Sequence, residues 1–225
     1  MKPNIKIKPP DSWLKISTIE MHTGGEPLRV LTEGLPEIKG RTILEKRSYF
    51  RDHLDYIRTG TMFEPRGHAD MYGAVITTPS HPASDFGTFF MHNEGYSTMC
   101  GHATLALTKL AIESKIIDYM EGQIIKIDAP PGQLQAKAIL KEGKVVSSSF
   151  LNVPSFVLIQ NESVDIHGIG TVRFDVAYGG AFYAICDAGE LGLKLIPSDY
   201  YKLIDYGKKI KKAVIEKFKI KHPFE

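Results

Sequence analysis

Cysteine is scarce in this chain: Cys100 and Cys186 are the only two in 225 residues, and they form neither a Cys-x-x-Cys pair nor a zinc-ligand spacing. That excludes a disulfide framework and leaves free thiols in a reducing, cytoplasmic compartment as the expectation. No apolar run approaches the roughly eighteen residues of a membrane span, and residues 1–10 lack the apolar core of a signal peptide. They read as a polar lead-in to a soluble protein. The net charge of +2 gives no electrostatic footprint for nucleic acid. His22, His68, His92 and His102 show no familiar paired metal-ligand spacing, and there is no phosphate-cradling glycine loop of the dinucleotide or P-loop kind. The expectation is therefore no metal, no nucleotide cofactor, no nucleic acid and no membrane.

What is present is a globular composition, 43% hydrophobic and 24% charged, long enough for one large domain or two small ones. Residues 14–21 and 28–31 read as strands around the loop His22-Thr-Gly-Gly-Glu-Pro27. The spacing predicts one amphipathic helix between Thr42 as N-cap and Gly60 as stop, with Arg51, Asp52, Asp55 and Arg58 on its wet side. The stretch 62–76 crowds Glu64, Arg66, His68 and Asp70 into a loop before a strand, either as part of a site or as a solvated turn with ion pairs. Strands follow at 86–91, 123–128, 133–140 and 145–151, then at 156–159, 170–178 and 181–186, and a lysine-rich helix closes the chain over 198–217. Asn152-Val-Pro-Ser155 marks the expected boundary, giving domains over 1–154 and 155–225. Cys186, inside an apolar run, reads as a buried structural thiol.

The chemistry concentrates in His92-Asn-Glu-Gly-Tyr-Ser-Thr-Met-Cys100-Gly-His102. After it comes a helix apolar on nearly every side, through Ala103, Leu105, Ala106, Leu107, Leu110, Ala111 and Ile112, which means a core helix. Cys100 then falls where that helix begins, among backbone N–H groups without intrahelical partners. A thiol there is expected to ionise more easily, and the N–H groups of Gly101 and His102 can hold a carboxylate. A small buried thiol, or the nucleophile of a cysteine hydrolase with a distant histidine as base, would use the same position.

Glu64-Pro-Arg-Gly-His-Ala-Asp-Met-Tyr-Gly-Ala74 and Met99-Cys-Gly-His102 resemble the proline racemase family, which includes hydroxyproline epimerases and trans-3-hydroxy-L-proline dehydratases. The similarity continues through Met21-His-Thr-Gly-Gly-Glu-Pro27, Phe150-Leu-Asn-Val-Pro154, Ala177-Tyr-Gly-Gly180 and His222-Pro223, over essentially the whole chain. Racemases and epimerases typically carry Asp-Gly-Gly-Gly-Tyr-Leu-Asn before Met-Cys-Gly-His and a Gly after it. This chain has His92-Asn-Glu-Gly-Tyr-Ser-Thr and then Ala103, which is similar to the dehydratase branch.

The resemblance implies an α/β (α+β) fold like that of diaminopimelate epimerase: two similar halves, each a β layer curled around a central helix, with the second half incomplete here. It implies a cofactor-independent enzyme acting on a small imino acid, in which the Cys100 thiolate removes the Cα proton, Gly101 and His102 bind the substrate carboxylate, and Tyr72 forms an aromatic wall. The second catalytic group, Cys in racemases and epimerases and Thr in dehydratases, would lie beyond Glu225. The competing expectations are a proline racemase or 4-hydroxyproline epimerase, and a non-catalytic truncated family member held in a homodimer.

Overall fold

The structure, a computed structural model, describes residues 8–223. Most of the lead-in expected over 1–10 lies outside them. The chain divides after Leu151 into two compact units. Among the described residues no helix is long and apolar enough to cross a membrane, and no group of three His, Cys, Asp or Glu side chains could hold a metal ion.

The first unit is built on one seven-stranded mixed sheet whose strands lie side by side in chain order. β1 (Ser17–Thr23) and β2 (Glu26–Glu33) form a hairpin closed by Gly24 and Gly25 at φ of 61° and 101°. Two consecutive left-handed residues make a tight turn that glycine adopts without steric cost, so the strands run further into His22–Pro27 than the sequence suggests. β2 then pairs in parallel with β3 (Tyr72–Thr77), and β3 pairs antiparallel with β4 (Phe86–His92). Beyond it β5 (Ile125–Ala129), β6 (Gly132–Lys141) and β7 (Lys144–Leu151) complete the sheet. Glu142 and Gly143, at φ of 53° and 76°, form the expected turn between β6 and β7.

The helix α3 (Gly101–Glu113) packs on β1 and β2 at one end of this sheet and on β6 and β7 at the other. Strands from both ends of a seven-stranded layer can reach one helix only if the layer curls around it. That explains the two sequences that carry no polar face: β4 is buried from Phe86 to Met91, and α3 buries Ala103, Ala106, Leu107, Leu110, Ala111 and Ile112. Thr104 and Thr108 are also buried, and each satisfies its hydroxyl on a carbonyl four residues back, at 2.8 and 2.7 Å.

On the outer face, α1 (Ile43–His53) and α2 (Asp55–Met62) close a core of Leu31, Ile43, Phe50, Leu54, Ile57, Met62, Val75, Phe89 and Met91. The N-cap Thr42 accepts from the Glu45 N–H while the Glu45 carboxylate accepts from the Thr42 N–H, a complete capping box. The single expected helix is instead two, broken at Leu54 (φ −126°, ψ 13°), and α2 runs through Gly60 to Met62. The break lets Leu54 and Ile57 both enter the core. It also takes Arg58 off the wet side: only 8% exposed, it forms a two-pronged pair with Asp55 at 2.7 and 2.9 Å.

The second unit is a three-stranded antiparallel sheet in the order β10–β9–β8 with one helix against it. β8 (Phe156–Ile166) is longer than expected because the polar residues Gln160 to Ser163 continue the strand through register shifts, with Asn161 at φ 55°. β9 (Gly170–Tyr178) and β10 (Phe182–Ile185) follow, and a 3₁₀ turn at Pro197–Asp199 leads into α4 (Tyr200–Lys217). Val164, Val172, Phe174 and Val176 meet Ile210 and Val214 of α4, whose lysines face outward. Cys186 falls just after β10 and is half-buried, lining an apolar groove with Phe182, Val214 and Phe218, not a buried strand thiol.

Candidate active site

Cys100 is the N-cap of α3, with extended backbone (φ −145°, ψ 110°) before the first helical turn. The first-turn N–H groups of His102 and Ala103 lower its thiol pKa, as does a hydrogen bond from the Tyr72 hydroxyl. Burial acts in the opposite direction and wins. Cys100 is 6% exposed, and desolvation, reinforced by the Glu26 carboxylate, pushes its pKa from the ordinary 9.0 up to about 11. The helix start and burial thus act on the thiol with opposite signs, and burial is the larger influence.

His102 reaches the sulfur from within the first turn of α3. Its Nδ1 lies 3.3 Å from Sγ and its Nε2 3.8 Å, nearly equal distances that set the sulfur against the ring and not in line with one nitrogen lone pair. The ring is held by the Pro27 carbonyl, 3.3 Å from Nε2, and the His102 carbonyl accepts from the Thr23 hydroxyl at 2.9 Å. Both anchors flank the Gly24–Gly25 turn, so the hairpin fixes the histidine. A carbonyl oxygen only accepts, so Nε2 is the donor in that contact.

Tyr72 opens β3 and packs edge-on against the His102 ring, centroids 5.0 Å apart, and tilted against the His92 ring at 5.4 Å. Its hydroxyl also makes a short hydrogen bond with the Ser97 hydroxyl. Cys100, His102 and Tyr72 are thus brought together, with Gly101 between the first two. A Cβ on Gly101 would meet only the Phe150 ring, at 3.5 Å.

The segment leading to Cys100 is strapped from α1 and α2. Arg58 Nη1 donates to the carbonyls of His92 (3.0 Å) and Asn93 (2.7 Å), and Tyr96 donates to Asp55 at 2.7 Å. Burial and the Asp55 hydrogen bond drive the Tyr96 pKa upward, while the Arg58 hydrogen bond holds the Asp55 carboxyl below its ordinary range. Arg47 Nη1 donates to the Ser97 carbonyl at 3.3 Å. By contrast Glu64, Arg66, His68 and Asp70 are exposed; the Arg66 side chain donates to the Gly60 carbonyl and the His68 ring accepts from the Asp70 N–H, which fits the solvated-turn reading. Ser97, Thr23 and Pro27 were not singled out by sequence. The only signal for Ser97 was its place in the departure from Asp-Gly-Gly-Gly-Tyr-Leu-Asn.

Residues 18–225 match the family model described as Proline racemase. The chain belongs to the proline racemase family. It is 52% identical over 215 residues to a protein of Colwellia psychrerythraea named trans-3-hydroxy-L-proline dehydratase, matching 95% of this chain and 60% of that one. It is 42% identical over 209 residues to a proline racemase of Clostridioides difficile, covering 92% of this chain and 62% of that one. The crystal structure of a hydroxyproline epimerase from Agrobacterium vitis with bound trans-4-hydroxy-L-proline superposes with a TM-score of 0.87 at 25% identity, over 92% of this chain and 62% of that chain. The curled sheet around a central helix is thus a fold this member shares with that epimerase, and the chain spans about 60% of the length of the curated relatives it matches.

Proposed function

We propose that the protein carrying this chain is a cofactor-independent trans-3-hydroxy-L-proline dehydratase and that Cys100 is its Cα base. The observation that carries the proposal is the convergence on one sulfur of a helix start, the Tyr72 hydroxyl and the His102 ring. The Cys100 thiolate takes the Cα proton: the C–H bond breaks, an S–H bond forms, and the electron pair passes into an enolate-like carboxylate. In this reading the N–H groups at the start of α3, at Gly101 and His102, meet that developing charge, where preorganised donors act most strongly. The pair then expels the hydroxyl from C3, which leaves with a proton from a second group as water. The resulting enamine tautomerises to a pyrroline carboxylate. In this reading Tyr72 serves the sulfur as well as the ring of the substrate.

The dehydratase is favoured over the racemase by the higher identity to the Colwellia protein, 52% against 42%, and by His92-Asn-Glu-Gly-Tyr-Ser-Thr. We read residues 1–154 as the first half of the enzyme and 155–225 as the opening of the second, in a cytoplasmic homodimer. The chain, alone and joined to the part of the Colwellia protein outside the matched segment, would be incubated with trans-3-hydroxy-L-proline, and pyrroline carboxylate measured with o-aminobenzaldehyde. The joined protein is expected to form it and to lose the activity on Cys100→Ser; the chain alone should be slower by several factors of ten, since misplaced substrate is costly in rate. Efficient racemisation of L-proline by the joined protein would replace this reading with the racemase one. Product formation that survives Cys100→Ser would remove Cys100 from its role.

A further inference from the structure

We propose that the first unit carries a binding site for a small phosphate-type oxyanion, formed by Arg47 and Arg51 of α1 in a cavity shared with Arg58 and Tyr96. The inference does not depend on the dehydratase reading.

Arg47, Arg51 and Arg58 line one cavity of about 370 Å³, and their donors are unequally spent. A guanidinium carries N–H donors on all three nitrogens and accepts nothing. Arg58 is fully committed: Nε and Nη2 go to Asp55, and Nη1 goes to the carbonyls of His92 and Asn93. Arg51 holds its neighbour Asp52 through Nε and Nη2, at 2.7 and 3.2 Å, and its Nη1 makes no hydrogen bond among the described residues. Arg47 makes a single long bond, from Nη1 to the Ser97 carbonyl at 3.3 Å, and no ion pair among the described residues. Yet Arg47 is half-buried. Burial, reinforced by the charge of Arg51, pulls its pKa below the ordinary 12.5, and no carboxylate acts against either influence. A desolvated cation beside a second cation, with no anion against it, is an arrangement that an anion from solution completes.

The spacing selects the ligand. Arg47 and Arg51 stand four residues apart on α1, so they leave the helix on one face with Cβ atoms about 5–6 Å apart. Each guanidinium is a planar fork that takes two oxygens. A carboxylate has both its oxygens in one plane and fills one fork, whereas a tetrahedral oxyanion presents oxygens to two forks at once. Tyr96 is a wall and not a donor, because its hydroxyl is held on Asp55 at 2.7 Å. Two acidic groups oppose an anion here. Asp55 is neutralised by Arg58, and Glu94 is solvent-exposed and makes no ion pair among the described residues, so it weakens the site without filling it.

Binding of inorganic phosphate to the 225-residue chain is measured by isothermal titration calorimetry at pH 7.5 and constant ionic strength, so that screening is the same at every point. Saturable binding with Kd of about 1 mM or tighter is expected, as befits a few charge-assisted hydrogen bonds set against the entropy of association. Acetate should bind at least about tenfold more weakly. Arg47→Met should cost at least about tenfold, and Arg51→Met about fivefold. The second change is at a largely exposed side chain, so loss of fold in the first does not remove the test. Glu94→Gln should tighten binding about threefold by removing an opposing charge, while Arg41→Met, which removes a charge outside the cavity, should leave it within about twofold. Glycerol phosphate tells a phosphomonoester from the free ion: tighter binding than inorganic phosphate assigns the site to the ester, weaker binding to the ion, both within the proposal. No saturable phosphate binding up to about 20 mM, acetate bound as tightly as phosphate, or full affinity in both Arg47→Met and Arg51→Met would overturn it. Because no turnover is measured, failure of the dehydratase assay leaves this result standing, and failure here leaves that assay standing.

Discussion

The two cysteines of this chain should react in the order opposite to the one suggested by their places in the sequence. Cys100 sits at a helix start, yet burial raises its pKa from 9.0 to about 11. At neutral pH those two units mean about a hundredfold less thiolate. The more basic thiolate is intrinsically more nucleophilic, with a Brønsted coefficient of about 0.4–0.5, which returns roughly a factor of ten. A net slowing of about tenfold remains from ionisation alone, before access is considered, and Cys100 is only 6% exposed. Cys186 is also raised by burial and, secondarily, by Asp187, but it is half-buried and lines an open groove. In unliganded protein, iodoacetamide at pH 7.5 should therefore modify Cys186 faster than Cys100, read as initial rates by peptide mapping. Equal rates, or faster labelling of Cys100, would show that the donors at the helix start outweigh burial and that the thiol is ionised at rest.

The same raised pKa makes a stability prediction. The neutral thiol is favoured in the folded state, so its contribution is present below the unfolded value near 9 and is lost as pH rises through about 11. Cys100→Ser should flatten the alkaline loss of stability across that window by roughly 2–3 kcal/mol; denaturant midpoints that fall equally in both proteins would contradict it. Arg58→Met would remove the guanidinium from Asp55, which keeps only its Tyr96 donor among the described residues, and from the carbonyls of His92 and Asn93. The expected cost is about 2–4 kcal/mol, with faster amide exchange over 92–97; a change under about 0.5 kcal/mol would show that the strap carries little.

Much of this architecture is legible in the sequence because its strongest signals are local. Thr42 with Glu45, the Gly24–Gly25 and Glu142–Gly143 turns, and the all-apolar β4 and α3 each determine structure within a few residues. An apolar helix next to an apolar strand must be surrounded, and a curled layer surrounds it. What is not legible depends on groups far apart in the chain. Arg58 looks like a surface charge until Leu54 breaks the helix and turns it toward His92 and Asn93. Ser97 carries no motif of its own; its interest comes from Tyr72, twenty-five residues earlier. The ionisation of Cys100 could not be read from its helix-start position, because desolvation is a property of the finished core and enters with the opposite sign.

That opposition bears on how the base would work if the proposed reaction is right. At pH 7 a thiol with a pKa of about 11 costs about 5 kcal/mol to ionise. The substrate brings its own remedy. A cyclic imino acid carries a ring ammonium, and a positive charge about 4 Å from the sulfur at an effective dielectric near 20 is worth about 4 kcal/mol. Its carboxylate would offset part of this, but in the proposed reading that charge is met by the N–H groups of Gly101 and His102. Most of the ionisation cost is thus returned only when a zwitterionic imino acid is bound, so the thiolate would appear with its substrate and stay suppressed without it. The buried thiol that argues against easy ionisation in the free protein is, on this account, what restricts the base to ligands that carry both charges.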